Sequence, residues 1–221
     1  MELLPPLEAF LIPGPAGRID GRLEWPPARG GAPGVPRFLA VFGHPHPNHR
    51  GSMQNSVVVH GARALAKLGG AVARFNFRGV GRSEGHYDQG RGELSDFLAV
   101  AAWLRARWPG TRALLAAGFS FGSLRALEAA AKGAADAFLG VAPPFDLAHR
   151  SPLPRLERPA ALVLAERDEL VAIPTDAQLA ERFADLRAIE VVPDAGHLFF
   201  GRINEVAAAV ARAAEQLLPP E

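Results

Sequence analysis

From Phe38 onward the chain alternates short, uninterrupted apolar runs with longer segments whose apolar residues recur every three to four positions. The runs Phe38–Phe42, Ala71–Phe77, Ala113–Phe119, Ala137–Val141, Ala160–Ala165 and Ala188–Val192 read as strands buried on both faces. Between them lie five segments of helical spacing. They are Met53–Leu68 (Val57, Ala64, Leu65 and Leu68 on one face), Glu93–Trp108 (Phe97, Ala101, Leu104, Trp108), Phe121–Lys132, Thr175–Phe183 and Arg202–Leu217 (Ile203, Val206, Val210, Leu217). Gly133 supplies a C-cap for the third. Ahead of this alternation, Leu7–Pro13 and Arg18–Trp25 read as two strands joined by a turn at Gly14–Gly17, and the Pro- and Gly-rich stretch Pro26–Pro36 as a loop.

Strand–helix alternation with continuously apolar strands predicts a mostly parallel sheet covered on both faces: a three-layer α/β/α sandwich with antiparallel N-terminal strands. The 221 residues make one domain, with a hairpin over 1–25, a loop over 26–36, and the catalytic sheet and helices over 37–221. In such a sheet the chemistry belongs at the carboxyl ends of the strands. The stretch Ala142–Pro159 holds Pro143, Pro144, Pro152, Pro154 and Pro159, so it does not form a helical cap domain. The expected site is therefore open and shallow, walled by Phe145, Leu170, Phe199 and Phe200.

Composition narrows the chemistry. With 24 basic and 23 acidic residues the formal charge is +1, which leaves no electrostatic footprint for nucleic acid or an acidic membrane. No apolar run approaches a membrane span, and Met1–Pro6 lacks the basic start of a signal peptide, so the cytoplasm is the expected compartment. The chain has no cysteine, which removes disulfides, thiolate metal sites and a cysteine nucleophile. Any catalysis is left to Ser, Thr, His, carboxylates, or a metal held by nitrogen and oxygen ligands.

Gly118-Phe119-Ser120-Phe121-Gly122 is G-x-S-x-G between an apolar strand and a helix. In that context the serine sits on a strained turn that pushes its hydroxyl out above the sheet, and the glycines let backbones close on each other. A serine hydroxyl needs a base, and the base an orienting acid; on a sheet of this kind they are expected to follow the serine in the order acid, then His. Asp168 follows one predicted strand and His197 the last, so both fall at strand carboxyl ends. Glu166, Glu169 and Asp194 compete for the acid role. Glu166 is expected to point away, and Asp194 to be a turn residue. One oxyanion donor is the backbone of Phe121, after the nucleophile. The other comes from His44-Pro45-His46-Pro47, where only His46 has an N–H beyond the first residue. His44 and Arg50 are further candidates for substrate contact.

These segments together resemble the α/β-hydrolase superfamily, and within it the small capless bacterial hydrolases distantly related to dienelactone hydrolases. The resembling residues are HPHP at His44–Pro47, GSMQN at Gly51–Asn55, RFNFRGVGRSEG at Arg74–Gly85, GFSFG at Gly118–Gly122, the Asp168 loop and DAGH at Asp194–His197. The resemblance implies Ser120 as nucleophile, Asp168 as acid, His197 as base, and Phe121 and His46 as oxyanion donors. It departs at two places. Dienelactone hydrolases use cysteine, so their substrate does not carry over, and Asn48-His49-Arg50 is polar where larger apolar residues are expected.

The expected activity is hydrolysis of a small-molecule carboxylic ester of short acyl chain, with no cofactor, by a monomer or homodimer. Two alternatives differ in class. His44-x-His46-x-Asn48-His49 is similar to the metallo-β-lactamase H-x-H-x-D-H motif, with His149, Asp168 and His197 as further zinc ligands, though Asn48 stands where that motif wants Asp. The other is a non-catalytic binding protein on a hydrolase fold. The glycines of Arg78–Gly85 are spaced G-x-G-x-x-x-G and do not make a dinucleotide fingerprint, so the segment reads as a loop beside the site, with Arg78 or Arg82 able to reach substrate.

Overall fold

A computed structural model describes residues 7–26, 35–147 and 153–218. Eight strands form one sheet: β1 (Leu7–Gly14), β2 (Gly17–Glu24), β3 (Phe38–Gly43), β4 (Gly70–Phe75), β5 (Leu114–Phe119), β6 (Ala137–Val141), β7 (Ala160–Ala165) and β8 (Leu186–Val192). Their order across the sheet is β1-β2-β4-β3-β5-β6-β7-β8. The β1–β2 and β2–β4 pairs are antiparallel and the rest parallel, so the leading hairpin is an edge of the main sheet. Five helices cover it: α1 (Ser56–Lys67), α2 (Arg91–Arg107), α3 (Phe121–Ala131), α4 (Asp176–Arg182) and α5 (Ile203–Glu215). The fold is the expected mostly parallel sandwich with antiparallel N-terminal strands.

Strand periodicity builds the two cores. In β3, Phe38, Ala40 and Phe42 pack into the layer formed with α1 and α5, while Leu39 and Val41 face α2 and α3. β7 divides in the same way, with Ala161 and Val163 on one side and Leu162 and Leu164 on the other. Every residue of β3 to β7 is buried, as continuous apolar runs require. β8 differs. As the sheet edge it alternates half-buried and exposed positions, with Ile189 and Val191 open to solvent.

α1 starts later than its apolar pattern, at Ser56, because the Asn55 side chain accepts the N–H of Val57 and caps it. Its buried face is Val57, Val58, Gly61, Ala62, Leu65 and Ala66, rotated from the one that hydropathy picks out. Gly61 is the reason: a Cβ there would lie 2.8 Å from the Phe42 ring, so a residue with no hydrophobic side chain marks the closest contact with the sheet. After β6 the chain makes a single turn at Phe145–Leu147, and Leu156 bridges to Phe183 beside α4. No cap helix stands over the site among the described residues. His149, Pro152 and most of the Pro26–Pro36 segment lie outside the described residues.

One charged pair lies inside the sheet. Arg74 on β4 donates from Nε to Glu24 on β2 at 3.0 Å, both side chains being 3% exposed, and from Nη1 to the carbonyl of Met53 at 2.9 Å. Glu24→Ala leaves this guanidinium buried without its carboxylate and is expected to cost about 3–5 kcal/mol in urea unfolding. Glu8→Ala, which removes the half-exposed partner of Arg107, is expected to cost less than about 1 kcal/mol in the same assay.

Candidate active site

Ser120 stands between β5 and α3 with φ 52° and ψ −120°, a backbone conformation that a non-glycine residue adopts only when its surroundings impose it. The imposing contacts fall on the backbone. The N–H of Ser120 donates to the carbonyl of Val141 at 2.8 Å, and its carbonyl accepts from the N–H and the hydroxyl of Ser123 at 2.9 and 2.5 Å. A Cβ on Gly118 would sit 2.3 Å from the carbonyl of Gly122, and one on Gly122 would sit 2.4 Å from the carbonyl of Gly43. The first glycine of the motif admits α3, and the second admits the end of β3.

His197 follows β8 and is buried. Its Nε2 lies 3.0 Å from Ser120 Oγ and its Nδ1 lies 2.8 Å from Asp168 Oδ2. Asp168 Oδ1 also accepts the N–H groups of Leu170 and Val171 at 3.0 and 2.9 Å, which fixes the carboxylate in its loop after β7. The imidazole therefore donates from Nδ1 to Asp168 and presents the Nε2 lone pair to the Ser120 hydroxyl.

The neighbouring acids hold the histidine loop. Glu166 accepts the N–H of Asp194 at 2.8 Å, and Glu169 accepts the N–H of His197 at 3.0 Å. That backbone bond lowers the pKa of Glu169. The N–H of Arg167 donates to the carbonyl of Ala195 at 2.8 Å, and its guanidinium pairs with Asp194. Asp194 occupies a turn with φ 54°. Glu166 thus turns toward the histidine loop, where the sequence suggested it points away.

The loop after β3 wraps the start of α3. Gly43, at the end of β3, contacts Gly122, and the His46 ring lies 5.0 Å from the Phe121 ring. Phe121 opens α3, so its N–H has no partner within the helix. His44, a candidate for substrate contact whose side chain also read as structural, takes the structural role. It is fully buried, with Nε2 accepting the N–H of Phe77 at 3.1 Å and Nδ1–H donating to the carbonyl of Pro45 at 2.6 Å. It is a strut between the ends of β3 and β4. Phe199 is likewise no wall. Its φ of 52° turns it into the core, 6.1 Å from the Phe119 ring, and leaves Phe200 82% exposed instead. Phe145 is half-buried against Phe183, and Leu170 is exposed beside Asp168. Arg50 is exposed at a left-handed position (φ 61°) that closes the turn Pro47–His49. Arg78 is engaged by Asp96 through its backbone N–H, Nε and Nη2, while Arg82 is exposed.

The segment from Arg74 to Gly85 serves as a joint between loops. Arg74 and Asn76 hold Met53, Phe77 holds His44, and Ser83 joins Asp20 to Asn76. The sequence does not single out Glu24, Asn76 or Tyr87, and it offers Glu169 only as a rival for the acid role, not as the acceptor of the His197 N–H. Only the density of polar residues in RFNFRGVGRSEG hinted at such a network. Among the described residues, the zinc ligands of the alternative reading form no cluster of three that could hold a metal. Both nitrogens of His44 bond backbone groups, His197 and Asp168 bond each other, and His149 lies outside the described residues.

The fold is that of the α/β serine hydrolases. Residues 47–166 match the family described as serine aminopeptidase, S33, and the chain belongs to this family of α/β hydrolases. It is 32% identical over 206 residues to an uncharacterized protein of Rickettsia prowazekii (strain Madrid E), covering 89% of this chain and 84% of that one. Among solved structures it is similar to an α/β serine hydrolase homologue from Coxiella burnetii, with 34% identity, TM-score 0.81, and coverage of 93% of this chain and 96% of that chain. It is similar also to a serine hydrolase without a lid from Xanthomonas campestris, with 32% identity, TM-score 0.81 and full coverage of both chains. No helix of the described residues is long and apolar enough to cross a membrane.

Two outcomes follow from this geometry. Gly122→Ala pushes a methyl group into the backbone of Gly43 and is expected to cost about 1–3 kcal/mol in urea unfolding. Burial pushes the pKa of His44 down to about 4, against the bond to Pro45 that raises it. Below pH 6.5 the unfolded chain takes up a proton at His44 that the folded chain refuses, so stability falls as pH drops from 6.5 toward 4. The loss from this residue is about 3 kcal/mol. His44→Gln should be less stable than wild type at pH 7.5, with the gap narrowing by about that amount at pH 4.5.

Proposed function

We propose that the protein hydrolyses small carboxylic esters of short acyl chain, with Ser120 as nucleophile, His197 as general base and acid, and Asp168 as the acid that orients the imidazole. The observation that carries this reading is the hydrogen-bonded chain Ser120 Oγ, His197 Nε2, His197 Nδ1, Asp168 Oδ2, at 3.0 and 2.8 Å. Membership of a serine-hydrolase family supports it.

In this reaction Ser120 Oγ attacks the ester carbonyl carbon while its proton passes to His197 Nε2. The carbonyl oxygen becomes an oxyanion, held by the backbone N–H groups of Phe121 and His46. Collapse of the tetrahedral intermediate breaks the bond to the alkoxide, which takes the proton from Nε2 and leaves as the alcohol. A water then gives its proton to Nε2 and attacks the acyl carbon. The acid departs, and the proton returns to Ser120. Asp168 keeps its charge throughout and steadies the imidazolium that forms twice.

Short acyl chains are the expectation because no cap helix stands over the site among the described residues to enclose a longer chain. The partner in this reading is a small ester, met by a monomer or a homodimer.

A fluorophosphonate probe followed by mass mapping tests the assignment. Ser120 is expected to carry the label, and Ser120→Ala to lower turnover of nitrophenyl butyrate by at least about a thousandfold. Near wild-type turnover in Ser120→Ala, or activity higher on long-chain emulsions than on butyrate, would overturn it.

A further inference from the structure

Tyr87, the chain's only tyrosine, sits on the loop between β4 and α2. Its hydroxyl lies 3.1 Å from Nε2 of His46. Nδ1 of the same ring accepts the N–H of Asn48 at 3.2 Å, so the neutral imidazole carries its proton on Nε2 and donates it to Tyr87. His46 is thus bonded once inward, to its own loop, and once outward, to another.

The outward partner is held firmly. Glu93, on the first turn of α2, accepts the N–H groups of Asp88 and Gly90 at 2.8 and 2.7 Å, which fixes the chain on the far side of Tyr87. Arg78 ties the near side to Asp96. The rings of His46 and Tyr87 are 5.0 Å apart, and that of Phe121 lies 5.0 Å from His46 and 6.1 Å from Tyr87. From its other sides Phe121 meets Phe77 at 5.6 Å and the Arg125 guanidinium at 5.1 Å. The two residues assigned as oxyanion donors therefore pack on each other and on Tyr87.

The loop after β3 is closed by its own bonds. The carbonyl of His46 accepts the N–H groups of His49 and Gly51 at 3.0 and 3.1 Å. Those bonds give the loop its shape but do not say where it sits relative to Ser120. The Tyr87 bond ties that shape to the start of α2. We propose that Tyr87 is a positioning residue for the oxyanion site, holding the backbone of His46 at the distance from Phe121 that the developing charge needs. The inference rests on the Ser120 reaction proposed above. Donors aimed at developing charge lose most of their effect when displaced by an ångström, so the effect belongs to kcat rather than to substrate binding.

The test uses Tyr87→Phe, which keeps the ring and removes the hydroxyl, alongside Ser120→Ala. Tyr87→Phe is expected to lower kcat on nitrophenyl butyrate about 10- to 100-fold, with KM within about twofold of wild type. Affinity for a trifluoromethyl ketone, whose carbonyl Ser120 converts to a hemiketal oxyanion, should fall by the same factor as kcat/KM. If Tyr87 acts through His46, its loss should have no added effect in a His46→Ala background. A purely structural role would not produce this pairing of kcat with oxyanion affinity. Wild-type kcat in Tyr87→Phe, a loss carried by KM, or full additivity with His46→Ala would overturn the inference while leaving Ser120 in place. An active Ser120→Ala would remove the reaction on which it rests. Should Tyr87→Phe fail to fold, His46→Ala alone carries the same comparison of kcat, KM and analogue affinity.

Discussion

The close approach of three backbone segments governs this molecule. The end of β5, the start of α3 and the end of β3 meet with no room for a Cβ at Gly118 or Gly122. Ser120 lies in the middle of that contact and takes a φ of 52° because the chain must turn there within one residue. A strained turn of this kind persists only if the elements around it are rigid. Here they are central strands, each buried along its length and packed on both faces. The strained turn at Ser120 is therefore a consequence of where the helix enters the sheet, and it is set by the same packing that holds the core.

Loops at the carboxyl ends of the strands are joined side by side rather than braced individually. His44 links the end of β3 to the end of β4, Asn76 links β4 to the loop before α1, and Arg78 links it to α2. Across the site, the run Glu166 to Glu169 grips the Asp194–His197 loop at five points, three of them through backbone groups. Charged and polar residues that would ordinarily be solvated thus serve as fasteners, each satisfied by a partner on a neighbouring element.

Much of this architecture was legible because central strands of a parallel sheet must be apolar throughout, so Phe38–Phe42, Ala137–Val141 and Ala160–Ala165 announce themselves. The strand-to-helix setting of Gly118–Gly122 was legible for a similar reason: the glycines mark backbone contacts. What hydropathy could not reveal were positions where a single dihedral decides the outcome. Phe199 and Phe200 are identical in type, yet a left-handed backbone at Phe199 sends one inward and the other into solvent. His44 and His46 alternate in the same way about Pro45. Glu24 and Arg74 look like surface charges, and only the pairing of β2 with β4 makes them an internal pair. Tyr87 sits in a stretch with no periodicity, and its relation to His46 exists only in three dimensions.

β8 carries a further consequence. The strand that delivers His197 is the outermost on its side, and its exposed flank holds Ile189 and Val191. Ser120 hangs from β5, three strands inward. The serine and the histidine are thus attached to parts of the sheet that differ in how readily they open. Edge strands fray at lower free energy than central ones, so the hydrogen bond between Ser120 and His197 spans a gradient of local stability. The integrity of the site therefore depends on the sheet edge that carries the His197 loop as well as on the central strands beneath Ser120.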